Sequence, residues 1–186
     1  MKKILSTLVI CVAFLSTGVL QAQETERELT REEKKEMQAK LDSLLFEEAK
    51  QALNDKAFTL EADKVVFKYG QMAYVNSNTN FVSVDGEKAV VQVAFNIPVS
   101  GPNGLGGVTV DGSVSSYEVK EDKKGNLRLT MNVMGAGISA RVEIDMMKGS
   151  NQASVEIFPN FNSNRLTLNG VLLPLHKSTV FKGRSF

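Results

Sequence analysis

The sequence predicts a mainly β fold, an antiparallel up-and-down meander with one N-terminal amphipathic helix. Apolar and polar residues alternate over much of residues 57–173, glycine-bearing turns separate the alternating runs, and helical periodicity is confined to residues 30–54. The runs suggest about eight strands, a number that suits a lipocalin-like barrel or a strongly curled sheet. The sequence does not decide between these two forms.

The stretch from residue 126 to residue 157 shows the alternation most clearly. Its first apolar set occupies every second position: Leu127, Leu129, Met131 and Val133. The second set follows a glycine-rich turn: Ile138, Ala140, Val142, Ile144 and Met146. Period two places each set on one face of a strand, so the predicted sheet has one apolar face. That face must be covered, and the helix is the predicted cover.

Residues 30–54 have the three- and four-residue spacing of an amphipathic helix. The apolar positions form one predicted stripe: Met37, Leu41, Leu44, Leu45, Ala49, Ala52 and Leu53. We expect the helix to pack on the sheet through Leu41, Leu44 and Leu45. A helix that binds a membrane or a partner is the alternative. The mixed charges of the polar face favour packing, because membrane-surface helices usually favour Lys and Arg.

Local signals set the boundaries of several elements. Thr30 and Glu33 match a capping box, in which each side chain accepts a bond from the other's backbone N–H. Gly125 is predicted to take a positive φ in the turn that leads into the central meander.

The other strands are predicted from the same alternation. The first spans 57–69, with a bulge or turn at Ala62-Asp63, and the next two span 81–84 and 87–95 around an Asp-Gly turn. The remaining strands span 108–121 with a bend at Gly112, 152–158, and 165–173 with an interruption at Gly170.

The N-terminal segment has the residue order of a secretory signal peptide. Two lysines precede an apolar run, and small residues lead to a cleavage site after Ala22. The prediction is a signal peptide at 1–22, a mobile segment at 23–29 and a single helix-plus-antiparallel-β domain at 30–186. An uncleaved anchor is the alternative, although the apolar run is short for a membrane span. We expect export to the periplasm, with outer-membrane association or an extracellular location as alternatives.

Charge and cysteine content narrow the function classes. Removing residues 1–22 takes away two lysines and no acid, which leaves 20 basic against 21 acidic residues, a net charge of −1. That balance gives no reason to expect a nucleic-acid partner. The single cysteine, Cys11, leaves with the signal peptide, so the mature chain has no disulfide or cysteine ligand. No transmembrane segment is expected after cleavage, and the oligomeric state is left open.

The residues that could carry chemistry do not form a recognisable site. His176 is the only histidine, which excludes a zinc site of several histidines. Glu143 and Asp145 share a predicted strand face with Arg141, as charges on an exposed face do. The glycine-rich loop at 100–107 lacks the lysine of a P-loop and is predicted to be a flexible rim loop. We therefore predict no enzyme activity, no cofactor, and no catalytic, cofactor-binding or metal-ligating residue.

Two features bear on binding. Phe161 stands among asparagines in a predicted loop, where an exposed aromatic side chain would suit a partner. Four methionines suit either an adaptable apolar lining or an ordinary core: Met131, Met134, Met146 and Met147.

Several turn motifs together resemble a known family. In chain order they are Asn76-Ser77-Asn78-Thr79-Asn80-Phe81, Ser100-Gly101-Pro102-Asn103-Gly104, Gly149-Ser150-Asn151 and Phe158-Pro159-Asn160-Phe161-Asn162. This order is similar to that of the exported Bacteroides-type family called domain of unknown function 4251. The resemblance covers about Leu41 to Pro174. It implies export in a Gram-negative bacterium and a single domain, and it transfers no activity, substrate or site residue.

The function predicted from these features is a non-catalytic binding module for a small apolar ligand or an envelope partner. A structural or interaction protein of the cell envelope is the alternative, and a hydrolase ranks last because no nucleophile–base pair can be named. A cavity inside the sheet would favour a small ligand. A filled interior with an exposed apolar patch would favour a protein partner.

Overall fold

One helix and nine antiparallel strands make up the part of the chain that the computed structural model describes, residues 30–94, 107–136, 139–160 and 165–183. The elements are α1 Arg31–Asn54, β1 Ala57–Phe67, β2 Met72–Tyr74, β3 Phe81–Asp85, β4 Lys88–Ala94, β5 Gly107–Glu121, β6 Leu127–Gly135, β7 Ser139–Met146, β8 Gln152–Pro159, β9 Leu166–Pro174 and a 3₁₀ turn Leu175–Lys177. The predicted signal peptide and mobile segment lie outside the described residues.

Eight of the strands close into an up-and-down barrel. Each of β3 to β9 pairs with its neighbour in sequence, and β1 pairs with both β3 and β9. The predicted meander is confirmed, and the closure decides for the barrel over the open curled sheet. The short β2 was not predicted. It pairs with residues 64–66 of β1, which follow the residues of β1 that pair with β3.

The seam between β1 and β9 contains a close backbone approach. The predicted bulge is confirmed, because the register of β1 against β9 shifts between Ala62 and Lys64. The predicted interruption at Gly170 is wrong: β9 runs through it, and Gly170 lies opposite Ala62. A Cβ at Gly170 would lie 1.9 Å from the carbonyl oxygen of Glu61. Glycine is needed here for contact between strands, and the strand does not break.

The middle of the barrel is filled with apolar side chains. The inward-facing residues with at most 1% exposed surface include Phe58, Leu60, Val65, Leu129, Met131, Val142, Ile144, Val155, Leu168 and Leu172. An empty cavity large enough for water would leave exposed area on the side chains around it. Among the described residues, these side chains therefore enclose no such cavity at mid-barrel. Each buried leucine or isoleucine contributes roughly 1.5–3 kcal/mol to stability.

The helix docks on the barrel through its second half, and only part of the predicted stripe is buried. Its buried residues are Phe46, Ala49, Ala52 and Leu53. Leu41 and Leu44 are 47% and 65% exposed, so the predicted docking through them is wrong. Leu44 and Leu53 are nine residues apart on α1, which at 3.6 residues per turn is about two and a half turns, and they lie on opposite sides. Leu41, however, lies only about 20° around the helix axis from buried Ala52, eleven residues later. The exposed and buried residues of the predicted stripe therefore differ chiefly in their position along α1.

Contacts at both ends of α1 explain where the helix begins and how it is held. The capping box is confirmed: Thr30 N–H donates to Glu33 Oε2 at 2.8 Å, and Glu33 N–H donates to Thr30 Oγ1 at 3.2 Å. Near its end, the Leu53 carbonyl accepts a 2.5 Å bond from the Tyr117 hydroxyl. Burial raises the pKa of Tyr117, so its hydroxyl stays protonated and remains a donor.

No helix in the described part of the chain is long and apolar enough to cross a membrane.

The turn between β5 and β6 is held by one carboxylate that the sequence did not single out. Gly125 has φ +84°, which confirms the predicted left-handed conformation. Asp122 accepts bonds from the backbone N–H groups of Asn126 and Lys124 at 2.9 and 2.7 Å. These bonds lower the pKa of the Asp122 carboxyl group, and the bond from Asn126 has the largest effect. The Asn126 side chain in turn accepts the N–H of Lys148, which joins this turn to the next one.

Candidate functional site

The residues considered for catalysis lie on the outer surface and form ion pairs. The guanidinium of Arg141 lies 2.7 Å from the Glu143 carboxylate, on the same strand. Asp145 pairs with Arg128 of β6 at 2.6 Å, a hydrogen bond that raises the pKa of the guanidinium. His176 is exposed in the 3₁₀ turn. Among the described residues, no group of three or more His, Cys, Asp or Glu side chains is placed to hold a metal ion.

The loop residues considered for binding are only partly described. Residues 100–106 and 161–164 lie outside the described residues, so the predictions for the rim loop and for Phe161 have no structural outcome. Asn160 donates from its side-chain amide to Ser139 Oγ at 2.8 Å and so links β8 to β7. The methionines divide equally: Met131 and Met146 are in the core, whereas Met134 and Met147 are exposed.

Two open grooves on the outside of the barrel have charged side chains along them. One, of ≈ 510 Å³, is lined mainly by charged and hydroxyl side chains, among them Ser83, Asp85, Lys88, Asp111, Ser113 and Lys182. The other, of ≈ 580 Å³, has Lys120, Glu121, Asp122, Arg128 and Asp145 along it, next to Met146 and Met147. Both are open to solvent, so neither is the enclosed apolar pocket in which small molecules usually bind.

The first candidate surface is the free face of α1. Met37, Leu41 and Leu44 are 56%, 47% and 65% exposed. Their spacing of four and then three residues places them side by side along the helix. We call these three residues the helix stripe. It lies on the half of α1 that precedes the docked residues, and the charged residues around it have both signs.

The second candidate surface is a groove across β1, β3, β4 and β5 on the outside of the barrel, occupied by residues 178–183, which we call the strap. At its centre Gln92 of β4 is fully buried. Its amide nitrogen donates to the carbonyls of Thr79 and Phe181, at 3.0 and 2.8 Å. Its amide oxygen accepts from Thr109 Oγ1 and from the N–H of Gly183, at 2.9 and 2.7 Å.

Acidic side chains hold the two ends of the strap. Glu61 of β1 accepts a 2.8 Å bond from the hydroxyl of Ser178. Asp111 of β5 forms an ion pair with Lys182. Between these ends, the N–H of Phe181 donates to the Asn78 carbonyl at 2.8 Å. Gln92 occupies an outward position of an alternating strand, a pattern that predicts exposure, so the sequence did not reveal this groove.

Comparisons with known proteins place the chain in a family. The family model described as "Domain of unknown function (DUF4251)" matches residues 40–172. A crystal structure of a DUF4251 family protein from Bacteroides eggerthii DSM 20697 is 49% identical, with a TM-score of 0.68 over 80% of this chain and 99% of that chain. No curated protein matches. The chain therefore belongs to the DUF4251 family, as its turn motifs suggested.

Proposed function

We propose that this protein is an exported, non-catalytic binding module that engages a protein partner of the cell envelope through the helix stripe. The observation that carries the proposal is the exposure of Met37, Leu41 and Leu44 on the half of α1 that precedes its docked residues. Helices that bind in a groove use apolar anchors at this spacing. Burying these three neighbouring apolar side chains against a partner would remove them from water, which is energetically favourable.

The packed interior favours a protein partner over a small apolar ligand. A ligand inside the barrel needs a cavity, and the side chains at mid-barrel have no exposed surface. Val108, which pairs with Val93 near the end of β4, is 40% exposed. That rim gives a small apolar ligand exposed surface that the mid-barrel side chains lack.

The export and the absence of catalysis rest on the sequence and on the surface charges. The order of residues in 1–22 supports a signal peptide and a periplasmic location, with outer-membrane association or release as alternatives. Glu143 and Asp145, the carboxylates considered for acid–base chemistry, are paired with arginines on the outer face. Such surface pairs are typical of structural roles.

Photo-crosslinking in the native cells tests the partner. With p-benzoylphenylalanine in place of Leu44, we expect a discrete higher-mass adduct, because this side chain is in the proposed interface. Ala39 is the control: it is exposed, it lies at the same level of the helix, and it is about 200° from the stripe residues two positions away. Leu41→Asp should abolish the adduct from position 44 without lowering the melting temperature. Equal adducts at 39 and 44, or none at 44, would contradict the proposal.

A further inference from the structure

We infer that the outer face of β1, β3, β4 and β5 is a binding groove for an extended peptide, which the strap closes in this structure. This surface is separate from the helix stripe and does not depend on it. The residues that form the groove lie within the family region 40–172, whereas the strap, residues 178–183, lies beyond it.

The groove recognises the main chain of the strap. The Gln92 amide donates to the carbonyl of Phe181 and accepts from the N–H of Gly183. In an extended segment the carbonyl of residue i and the N–H of residue i+2 lie on the same side of the chain. One side-chain amide can therefore bond both groups, whatever side chains the segment carries. The Phe181 side chain itself is 62% exposed. Another extended peptide could therefore make the same bonds.

The central amide keeps its orientation without the strap. Gln92 also donates to the Thr79 carbonyl and accepts from the Thr109 hydroxyl, and neither of these groups belongs to the strap. When the strap leaves, one N–H and one oxygen lone pair of the Gln92 amide lose their partners and remain side by side. Leaving both unbonded would be unfavourable, which favours replacement of the strap by water or by another peptide.

The two acidic ends define the kind of peptide. Glu61 accepts from the hydroxyl of Ser178, and Asp111 pairs with Lys182 four residues later. The fitting partner is an extended peptide with a hydroxyl side chain followed, four residues on, by a basic one. Because the strap is tethered, its effective concentration at the groove is of the order of millimolar, so it excludes a weak external peptide.

The test uses the full-length protein with a loosened strap. Gly183→Pro removes the N–H that bonds Gln92, and Lys182→Glu reverses the charge opposite Asp111. The probe is a fluorescein-labelled peptide with the sequence of residues 178–183, followed by fluorescence anisotropy. We expect the double variant to bind the probe at least about tenfold more tightly than the wild type, because the tethered competitor is weakened. Equal binding by the two proteins would overturn the inference.

A charge exchange controls for non-specific binding. The control uses the Gly183→Pro single variant, whose strap keeps Lys182, so that Asp111→Lys cannot restore the ion pair with the strap. Adding Asp111→Lys to that variant should abolish binding of the probe and allow binding of the same peptide with glutamate at the lysine position. Asp111 is at the outer surface, so this variant should fold, and circular dichroism checks that it does. Binding of both peptides without regard to the charge at position 111 would also overturn the inference.

Discussion

Replacing Gly170 by alanine is expected to lower the free energy of unfolding by at least about 3 kcal/mol. The new Cβ would lie 1.9 Å from the Glu61 carbonyl oxygen and 2.7 Å from the Ala62 Cα. Both atoms belong to the backbone of β1, which pairs with β9 at the seam that closes the barrel. Relief of the contact requires the strands to separate, and separation breaks the hydrogen bonds of the seam.

Urea denaturation measures this effect, and Gly70→Ala is the matched control. Gly70 has φ +85°, and no atom lies within 4 Å of a Cβ built on it. That substitution adds only the strain of an alanine in a left-handed conformation, about 1–2 kcal/mol. An effect at Gly170 no larger than that at Gly70 would contradict the close approach of β1 and β9.

Leu53→Ala is expected to cost about 2–5 kcal/mol, the range for a leucine deleted from a packed core. Leu53 is 1% exposed and belongs to the same apolar cluster as the inward-facing strand residues. Truncation of the side chain leaves a cavity between α1 and the barrel, and the surrounding structure relaxes into it only in part. The helix should also become less protected from amide hydrogen exchange, because its docking is weakened.

The same substitution nine residues earlier compares the exposed part of α1 with its docked part. Leu44 is 65% exposed, so Leu44→Ala should change the free energy of unfolding by no more than about 0.5 kcal/mol. Thermal and urea denaturation of the two variants side by side measure the difference. A larger loss of stability at Leu44 than at Leu53 would restore the docking predicted from the sequence.

Strand positions could be predicted from the sequence because they are local. Alternation of apolar and polar residues marks a strand within a few positions, and the register of β6 on β7 follows from the short turn that joins them. Closure of the barrel depends on the pairing of β1 with β9, whose residues are about a hundred positions apart along the chain. The same alternation of apolar and polar residues would be found if β1 and β9 did not pair and the sheet stayed open.

The error in α1 and the burial of Gln92, which the sequence analysis did not anticipate, both depend on contacts between distant parts of the chain. Apolar spacing shows which residues share a side of a helix but not how much of its length is covered, so exposed Leu41 and Leu44 were joined to buried Leu53 in one docking stripe. The covered length depends on how the helix meets the barrel. Gln92 faces outward as its strand predicts, but the strap covers it from a distant part of the chain.

The central claim is that this barrel is filled by its own side chains and that it binds through its outer surfaces. Native mass spectrometry of the protein, purified without denaturation from its own cells, tests that claim most directly. The predicted spectrum contains the polypeptide alone or with a protein partner, and Leu44→Asp removes the partner. An apolar small molecule that stays bound in a fixed stoichiometric ratio would contradict the claim, because the packed interior leaves no room for it.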